Sequence, residues 1–143
     1  IDRLGDRKHA CLGGGVAAAI VATGCAAVVI DGPCTDAPEI EQYGLPVWSR
    51  GVAPVTTRIY DVGGCFNVPV VIGGSVVNPG DLIVADFSGV LVMPVDDAEA
   101  DIDWALAKRS GEPGIHKRLL GDERLGDISG ASAKVAASLE PGN

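Results

Sequence analysis

The feature that most constrains the fold is a short run of buried-strand residues leading into a loop dense in polar groups. Ala26–Ile30 reads Ala-Ala-Val-Val-Ile, a pattern typical of a strand covered on both faces. Asp31-Gly-Pro-Cys-Thr-Asp36 follows, and then a short helical pattern over residues 37–42. A loop that leaves the carboxyl end of a buried strand and enters a helix is where α/β folds usually bind ligands. The sequence therefore predicts an α/β domain with a functional site at Asp31–Asp36.

The carboxylate of Asp36 and the thiol of Cys34 each admit two interpretations. Asp36 with Glu39 fits a capping box, and Pro38 fits the first helical turn, so Asp36 is either a helix cap or a ligand. Cys34 is either a reactive thiol or a packed one. Because two acids flank it and no base is apparent, the thiolate is disfavoured and a packed side chain is the better prediction.

Two further stretches are candidate anion-binding positions. Gly13-Gly14-Gly15 precedes an Ala-rich helical pattern over residues 16–22, so bare backbone N–H groups would point at whatever lies there. The alternative is a flexible turn. Arg50 ends a predicted strand and can bind a carboxylate through two hydrogen bonds, although an ordinary surface arginine fits equally well.

The rest of the chain is predicted to form short strands followed by helices. Strands are expected at residues 55–60, 67–72, 82–86 and 90–93, and helices at residues 96–109 and 115–120. The third and fourth strands are close enough to form a hairpin. Gly111–Gly114 is expected to interrupt the helical pattern, because it combines two glycines with Pro113.

Charge and cysteine spacing exclude several classes of protein. The net charge is −8 and no run of Lys and Arg reaches four, so we expect no nucleic-acid partner. The apolar stretch at Gly13–Ile30 is broken by Thr23 and Gly24, so we expect no membrane span. Four cysteines without C-x-x-C spacing argue against a zinc knuckle and indicate reduced thiols in a cytoplasmic protein.

Several motifs, taken in order and spacing, resemble the RraA-like family. They are Ala26–Ile30 with Asp31-Gly32-x-x-x-Asp36, Gly44–Gly51, Val68–Val70 and Asn78–Val90. The resemblance covers about residues 1–125. The family includes 4-hydroxy-4-methyl-2-oxoglutarate / 4-carboxy-4-hydroxy-2-oxoadipate aldolases and the regulator of ribonuclease E activity, so it indicates the fold more specifically than the activity.

The resemblance implies an α/β/β sandwich with a small β-barrel of the swivelling-domain type. It implies an RraA-like domain over residues 1–128, followed by a weakly helical tail over residues 129–143. It also implies a homotrimer, often stacked as a hexamer, with active sites between subunits. Family members carry a further segment before the strand where this chain begins. We therefore expect a second chain, or a processed N-terminal segment, to pair with this one.

The resemblance also implies a metal site and a substrate site. Asp36 falls on the metal-binding Asp of an Arg-Asp pair, and the metal in the aldolases is Mg²⁺ or Mn²⁺. Glu112 is the best match for a Glu that a neighbouring subunit contributes to the metal waters. The amides of Gly13–Gly15 would hold the carboxylate of a small keto-acid. The metal would act as a Lewis acid that stabilises a pyruvate enolate.

Two positions depart from the family pattern. Thr35 replaces the Arg of the Arg-Asp pair, and Gly14 replaces an acidic residue that helps to deliver a proton. Arg50, Arg58 or a partner chain would then supply the positive charge. Asp31, Thr35 and Asp36 remain the candidate catalytic residues of a metal-dependent carbon–carbon lyase with an aldolase or oxaloacetate decarboxylase type of reaction. The alternative is a non-catalytic regulatory scaffold.

Overall fold

The chain divides into two compact units in the computed structural model, which describes residues 1–59, 61 and 63–139. The first unit comprises Ile1–Val95 and the second begins at Asp96. Within those described ranges, no helix combines the length and the apolar character needed to cross a membrane. The predicted boundary at residue 128 stays a prediction.

Within its described residues, the first unit combines two helices with three two-stranded sheets, which confirms the predicted α/β class. Its elements are α1 (Gly14–Ala22), β1 (Val28–Val29), α2 (Ala37–Gln42), β2 (Val47–Trp48), β3 (Val70–Ile72), β4 (Ser75–Val77), β5 (Leu82–Asp86) and β6 (Gly89–Met93). Strands β1 and β2 are parallel, whereas β3–β4 and β5–β6 are antiparallel hairpins. The hairpin predicted from residues 82–93 is confirmed, with Asp86 opposite Gly89 at its turn.

The strand predicted at residues 55–60 is wrong for its described part. Among the described residues, residues 55–59 pair through one isolated parallel bridge, between Thr56 and Ala10. Tyr60 lies outside the described residues. The bridge rests on two hydrogen bonds, from the Ala10 amide to the Val55 carbonyl and from the Thr57 amide to the Ala10 carbonyl. The β-branched residues of this segment favour a strand. A strand, however, has to pair with a neighbouring segment over several residues, and this segment pairs with a single residue.

Backbone hydrogen bonds continue beyond the ends of β1 and β2 and hold the loop at residues 31–36 from two sides. On one side, Arg50 donates to Gly32 over 2.8 Å, and Cys34 donates to Gly51 over 3.0 Å. On the other side, the Thr35 amide donates to the Leu12 carbonyl over 2.8 Å. The backbone of the loop is therefore held by hydrogen bonds to its neighbours, and this fixes the positions from which its side chains project.

The hydrophobic core lies beneath this loop. Its buried members are Leu12, Ala17, Val28, Ile30, Cys34, Ile40 and Leu45. They come from β1, from both helices and from the loop itself, and Leu12 is 0% exposed. Burying these side chains fixes the positions of α1 and α2 against β1.

The second unit is helical and contains one correction to the predicted elements. Its helices are α3 (Val95–Leu120), α4 (Leu125–Ser129) and α5 (Ala131–Ser138). The predicted interruption at Gly111–Gly114 is wrong, because α3 runs through it with Pro113 inside the helix. Pro113 removes one backbone donor, but the helix is exposed around it, so water can satisfy the freed carbonyl. Residues 105–109 before this stretch and 117–120 after it are good helix formers. The tail is helical as predicted up to Ser138, and residues 140–143 lie outside the described part.

Candidate functional site

Asp36 directs its carboxylate at α1 rather than at its own helix. It is the N-cap residue of α2 by position, but its φ is +53° and its side chain makes no capping hydrogen bond. The amide of Gly14, the first residue of α1, donates to Oδ2 of Asp36 over 3.1 Å. The amide of Glu39 is bound by the backbone carbonyl of Asp36 instead. The capping-box interpretation of this side chain is therefore wrong, because the carboxylate is bound to the first residue of α1 and not to the amides of α2.

Thr35 orients the Asp36 carboxylate. Its hydroxyl donates to Oδ1 of Asp36 over 3.2 Å, so each carboxylate oxygen accepts one hydrogen bond. The Thr35 amide is bound to Leu12, which fixes the backbone from which both side chains project. Thr35 thus contributes a neutral donor where the family pattern has a guanidinium.

The glycines before α1 are required by close approach of the loop. A Cβ at Gly13 would lie 2.5 Å from Oδ2 of Asp36 and 2.8 Å from Cγ2 of Thr35. A Cβ at Gly14 would overlap with Oε2 of Glu39 and would lie 2.9 Å from its Cδ. A Cβ at Gly15, by contrast, would meet nothing within 4 Å. Two of the three glycines are therefore explained by packing against side chains of α2 and its preceding loop.

The amides of this glycine triplet are only partly engaged. That of Gly14 is bound to Asp36, whereas those of Gly13 and Gly15 find no acceptor among the described residues. Binding of a substrate carboxylate by these amides stays a prediction.

Glu39 is a carboxylate at this site that the sequence-based prediction did not include. It lies three residues after Asp36, is exposed, and places Oε2 where it would overlap with a Cβ on Gly14. No hydrogen bond or ion pair of its side chain occurs within the described residues. The sequence feature that includes Glu39 is its spacing from Asp36. From the sequence alone that spacing indicates a capping box, not a functional carboxylate.

The Asp36 carboxylate fits a hard divalent cation that keeps most of its waters. It is exposed, and each of its oxygens retains a lone pair beyond the hydrogen bond that it accepts. Mg²⁺ commonly binds through one or two carboxylates with several waters. Within the described residues of one chain, no group of three or more His, Cys, Asp or Glu side chains converges on a metal position. Glu112, the second predicted ligand, belongs to α3 in the other unit, and its role stays a prediction.

Asp31 sits in a separate network of charges at the start of the loop. Its Oδ1 is 2.7 Å from Nε of Arg50 and 3.1 Å from Nη1 of Arg7, and its Oδ2 accepts from the Gly73 amide over 3.0 Å. The Arg50 hydrogen bond, followed by the Gly73 amide, holds the pKa of Asp31 below its usual range. This network joins the loop to β2 and to the β3–β4 turn, and it borders a cavity of about 480 Å³.

The network changes what the two predicted residues can do. Arg50 is already bound to a carboxylate of its own chain, so a substrate anion would have to share it with Asp31. Arg7, which no sequence pattern singled out, supplies a second guanidinium beside the same carboxylate. The predicted roles of Asp31 and Arg50 toward a substrate stay predictions.

Cys34 and Arg58 have distinct surroundings. Cys34 is 7% exposed, and its Sγ lies 3.4 Å from Oγ of Ser49, an environment that matches the packed thiol favoured by the sequence. Arg58 lines a polar cavity of about 630 Å³ together with Arg3 and His9.

Comparison with known proteins connects the site to a family. The sequence model of the RraA-like family, described as Aldolase/RraA, matches residues 1–92. A protein of Halalkalibacterium halodurans, provisionally named 4-hydroxy-4-methyl-2-oxoglutarate aldolase, is 32% identical over 78% of this chain and 53% of its own length. A similarly named protein of Shewanella oneidensis is 30% identical over 64% of this chain and 56% of its own. The chain thus spans about half the length of the curated relatives it matches.

Solved structures give the same result for the fold. Streptomyces coelicolor RraAS2, an unusual member of the RNase ES inhibitor RraA family, aligns with a TM-score of 0.70 and 32% identity over 80% of this chain and 58% of that one. The RNA-processing inhibitor RraA of Thermus thermophilis aligns with a TM-score of 0.60 and 29% identity over 65% of this chain and 56% of that one. The fold is accordingly the RraA fold.

Proposed function

The chain belongs to the RraA-like family, and from this premise we propose that it is a lyase that cleaves or decarboxylates a small keto-acid through a pyruvate enolate. The observation that carries the proposal is the Asp36 carboxylate, which is exposed and held by the Gly14 amide and the Thr35 hydroxyl. A carboxylate oriented in this way, beside backbone amides that find no acceptor among the described residues, combines a cation ligand with donors for a substrate carboxylate.

The proposed substrate is a γ-hydroxy-α-keto-acid or oxaloacetate. Two relatives carry the provisional name of a 4-hydroxy-4-methyl-2-oxoglutarate aldolase, and such a substrate breaks into two molecules of pyruvate. β-Decarboxylation of oxaloacetate passes through the same enolate, so one site can serve both reactions. The amides of Gly13 and Gly15 would bind the carboxylate next to the keto group.

The proposed cofactor is Mg²⁺ or Mn²⁺, held by Asp36 and, from a neighbouring subunit, by Glu112. When bound, the cation supplies positive charge that polarises the keto group and favours the enolate. The chain's own residues orient and bind: Thr35 fixes the Asp36 carboxylate, and the amides before α1 fix the substrate. The positive charge of the missing guanidinium would come from Arg50, Arg58 or a partner subunit.

We further propose a homotrimer or a hexamer as the working assembly. Large apolar side chains on the hairpins are exposed in the single chain. They include Val71 at 46%, Val76 at 60%, Val84 at 48% and Leu91 at 56%. Apolar surface of this extent is typical of a protein–protein interface, and Glu112 needs a neighbouring subunit for its proposed role.

A non-catalytic regulatory scaffold is the second candidate. It is favoured by the neutral Thr35 at the position of the Arg, and by the RraA inhibitors among the similar solved structures. A regulator of this kind would need a protein partner and no bound cation.

The test is release of pyruvate, coupled to lactate dehydrogenase, from oxaloacetate and from 4-hydroxy-4-methyl-2-oxoglutarate. Each substrate is measured with Mg²⁺ and with a chelator, for the wild type, Asp36→Ala and the matched control Glu41→Ala on α2. We expect metal-dependent release that disappears in Asp36→Ala and persists in Glu41→Ala. Unchanged turnover in Asp36→Ala would refute the proposed site, and no release from either substrate would favour the regulatory scaffold.

A further inference from the structure

We propose that Glu39 is the proton-transfer residue of this site, a carboxylate supplied by α2 that lies where a side chain on residue 14 would begin. The inference rests on the proposed lyase function. Its basis is that a Cβ built on Gly14 would overlap with Oε2 of Glu39 and would lie 3.1 Å from Cβ of Glu39, so the Glu39 side chain runs alongside this glycine. Because residue 14 has no side chain, the space beside it is open to the carboxylate of Glu39.

Asp36 and Glu39 both approach Gly14 from the start of α2. Asp36 precedes the helix with a φ of +53°, and its carboxylate accepts from the amide of Gly14, whereas Glu39 lies in the first helical turn. Asp36 reaches the amide of Gly14, and Glu39 reaches the side from which a side chain would project. The two carboxylates therefore flank the same stretch of backbone, at which the proposed substrate carboxylate would bind.

The two carboxylates differ in the hydrogen bonds that they accept. Both oxygens of Asp36 accept hydrogen bonds within the chain. The side chain of Glu39 is exposed and makes no hydrogen bond or ion pair with a described residue. A carboxylate without fixed donors can gain and lose a proton without breaking part of the fold, so Glu39 suits proton transfer better than Asp36 does.

The retro-aldol reaction supplies a task for this group. Glu39 takes the proton from the γ-hydroxyl of the keto-acid, and the oxygen electron pair forms the carbonyl of the departing product. The bond between the β- and γ-carbons breaks, and its electron pair passes to the β-carbon as the enolate. Protonated Glu39 then returns the proton to the β-carbon, which becomes the methyl group of pyruvate. Proton and charge are balanced, with Glu39 restored.

β-Decarboxylation places a smaller demand on Glu39. Carbon dioxide leaves with cleavage of the carbon–carbon bond, whose electron pair forms the same enolate, so no hydroxyl proton has to be removed. Only the final protonation of the enolate remains, and solvent can perform it at an open site. A proton-transfer role therefore predicts a difference between the two substrates, whereas a purely structural role of Glu39 in α2 predicts equal losses.

The experiment compares Glu39→Gln with Glu41→Gln, which removes the same charge from the same helix without a position at Gly14. We expect Glu39→Gln to lower retro-aldol turnover by about 10²-fold, a typical contribution of a general base, and decarboxylation by less than about tenfold. Glu41→Gln should leave both unchanged. Mn²⁺ affinity, measured by calorimetry, should be the same in both variants, because Glu39 is assigned no ligand role.

A relocated carboxylate provides the second arm. The Glu39→Ala / Gly14→Asp variant places an acid on α1 in the space that Glu39 leaves, and an Asp in the first turn suits the helix dipole. It should recover at least about tenfold of the retro-aldol activity that Glu39→Ala loses.

The possible outcomes separate this inference from the function on which it rests. Equal losses on both substrates, a fall in Mn²⁺ affinity in Glu39→Gln, or an active wild type with an unaffected Glu39→Gln would overturn the role of Glu39 alone. A wild type that releases no pyruvate from either substrate would overturn the proposed lyase, and this inference with it.

Discussion

Arg50 donates a hydrogen bond from Nε to Oδ1 of Asp31 over 2.7 Å, and this bond ties the end of β2 to the loop that carries Asp36. Arg7 contacts the same oxygen, and the Gly73 amide binds the other one. The side chain of Asp31 is only 14% exposed, whereas those of Arg50 and Arg7 are 45% and 54% exposed, so the two arginines cover this carboxylate from the solvent side. It explains how a loop of six residues keeps a defined conformation between two elements.

Asp31→Asn is expected to weaken this attachment. The side-chain amide of the asparagine is neutral, so it cannot act as a charged acceptor for the guanidinium groups of both Arg50 and Arg7. The loop should therefore shift, and the Asp36 carboxylate should move from its position beside α1. Misplacement of a catalytic group by about 1 Å can cost roughly 10²-fold in rate, and we expect a loss of that order in kcat/KM with a lowered Tm. The measurement is pyruvate release together with thermal unfolding. Asp101→Asn, exposed on α3, is the control and should change neither; equal behaviour of the two variants would contradict the role of the network.

The carboxyl group of Asp6 makes stability depend on pH in the acid range. The amides of Lys8 and His9, followed by the His9 side chain, hold the pKa of Asp6 well below its usual range. A carboxyl with a lowered folded-state pKa stabilises the fold above its unfolded pKa of about 3.9, and that contribution is lost as pH falls further. Urea unfolding between about pH 2 and 6 should therefore show a smaller loss of stability on acidification for Asp6→Asn than for the wild type. Identical slopes would show that Asp6 is not the group responsible.

The order of strand, loop and helix at residues 26–42 could be predicted because local patterns specify it. Val28 and Ile30 are buried and Pro38 suits a first helical turn, so both signals lie within a few residues. The direction of the Asp36 side chain could not be predicted, because it depends on a φ of +53° and on the amide of Gly14, which is 22 residues away. For the same reason Glu39 was missed, since its neighbour is a glycine on another helix.

The two elements that the sequence predicted wrongly also depend on distant parts of the structure. The residues from 55 to 59 have strand composition, but among the described residues Ala10 is their one bridging partner. Pro113 is a helix breaker by local rule, and α3 nevertheless continues through it. In both places the surroundings of the segment, which a local pattern does not contain, decide the conformation.

Leu12→Ala tests the core beneath the loop. Leu12 is 0% exposed and packs in the cluster that also contains Cys34 and Ile40. Truncation of a buried leucine removes transfer free energy and leaves a cavity, so the free energy of unfolding should fall by about 2–5 kcal/mol. Denaturation followed by Trp48 fluorescence in a Trp104→Phe background reports on the first unit. Leu120→Ala, at a position that is 89% exposed, is the control and should change it by less than about 0.5 kcal/mol.

Gly13→Ala and Gly15→Ala form a matched pair at the start of α1. A Cβ at Gly13 would lie 2.5 Å from Oδ2 of Asp36, so the carboxylate must move, whereas a Cβ at Gly15 meets nothing within 4 Å. Gly13→Ala should therefore lower turnover by roughly 10²-fold. Gly15→Ala should keep the activity and stabilise the helix by up to about 1 kcal/mol. Pyruvate release and chemical denaturation measure the two effects, and equal activity of the two variants would argue that the Asp36 position is unimportant.

Thr35→Arg tests whether the missing guanidinium limits the reaction. Thr35 precedes Asp36 directly, and its hydroxyl is the neutral donor to Oδ1 of that carboxylate. An arginine there would place a charged donor beside the developing enolate oxygen. Because loss of one such donor typically costs about 10²–10³-fold in kcat, we expect the substitution to raise kcat/KM toward a γ-hydroxy-α-keto-acid by about 10²-fold. Thr35→Gln, which is long but neutral, is the control for side-chain length and should give no gain. If Thr35→Arg gives no gain either, the positive charge already comes from elsewhere, and Arg50→Gln and Arg58→Gln would then identify which arginine supplies it.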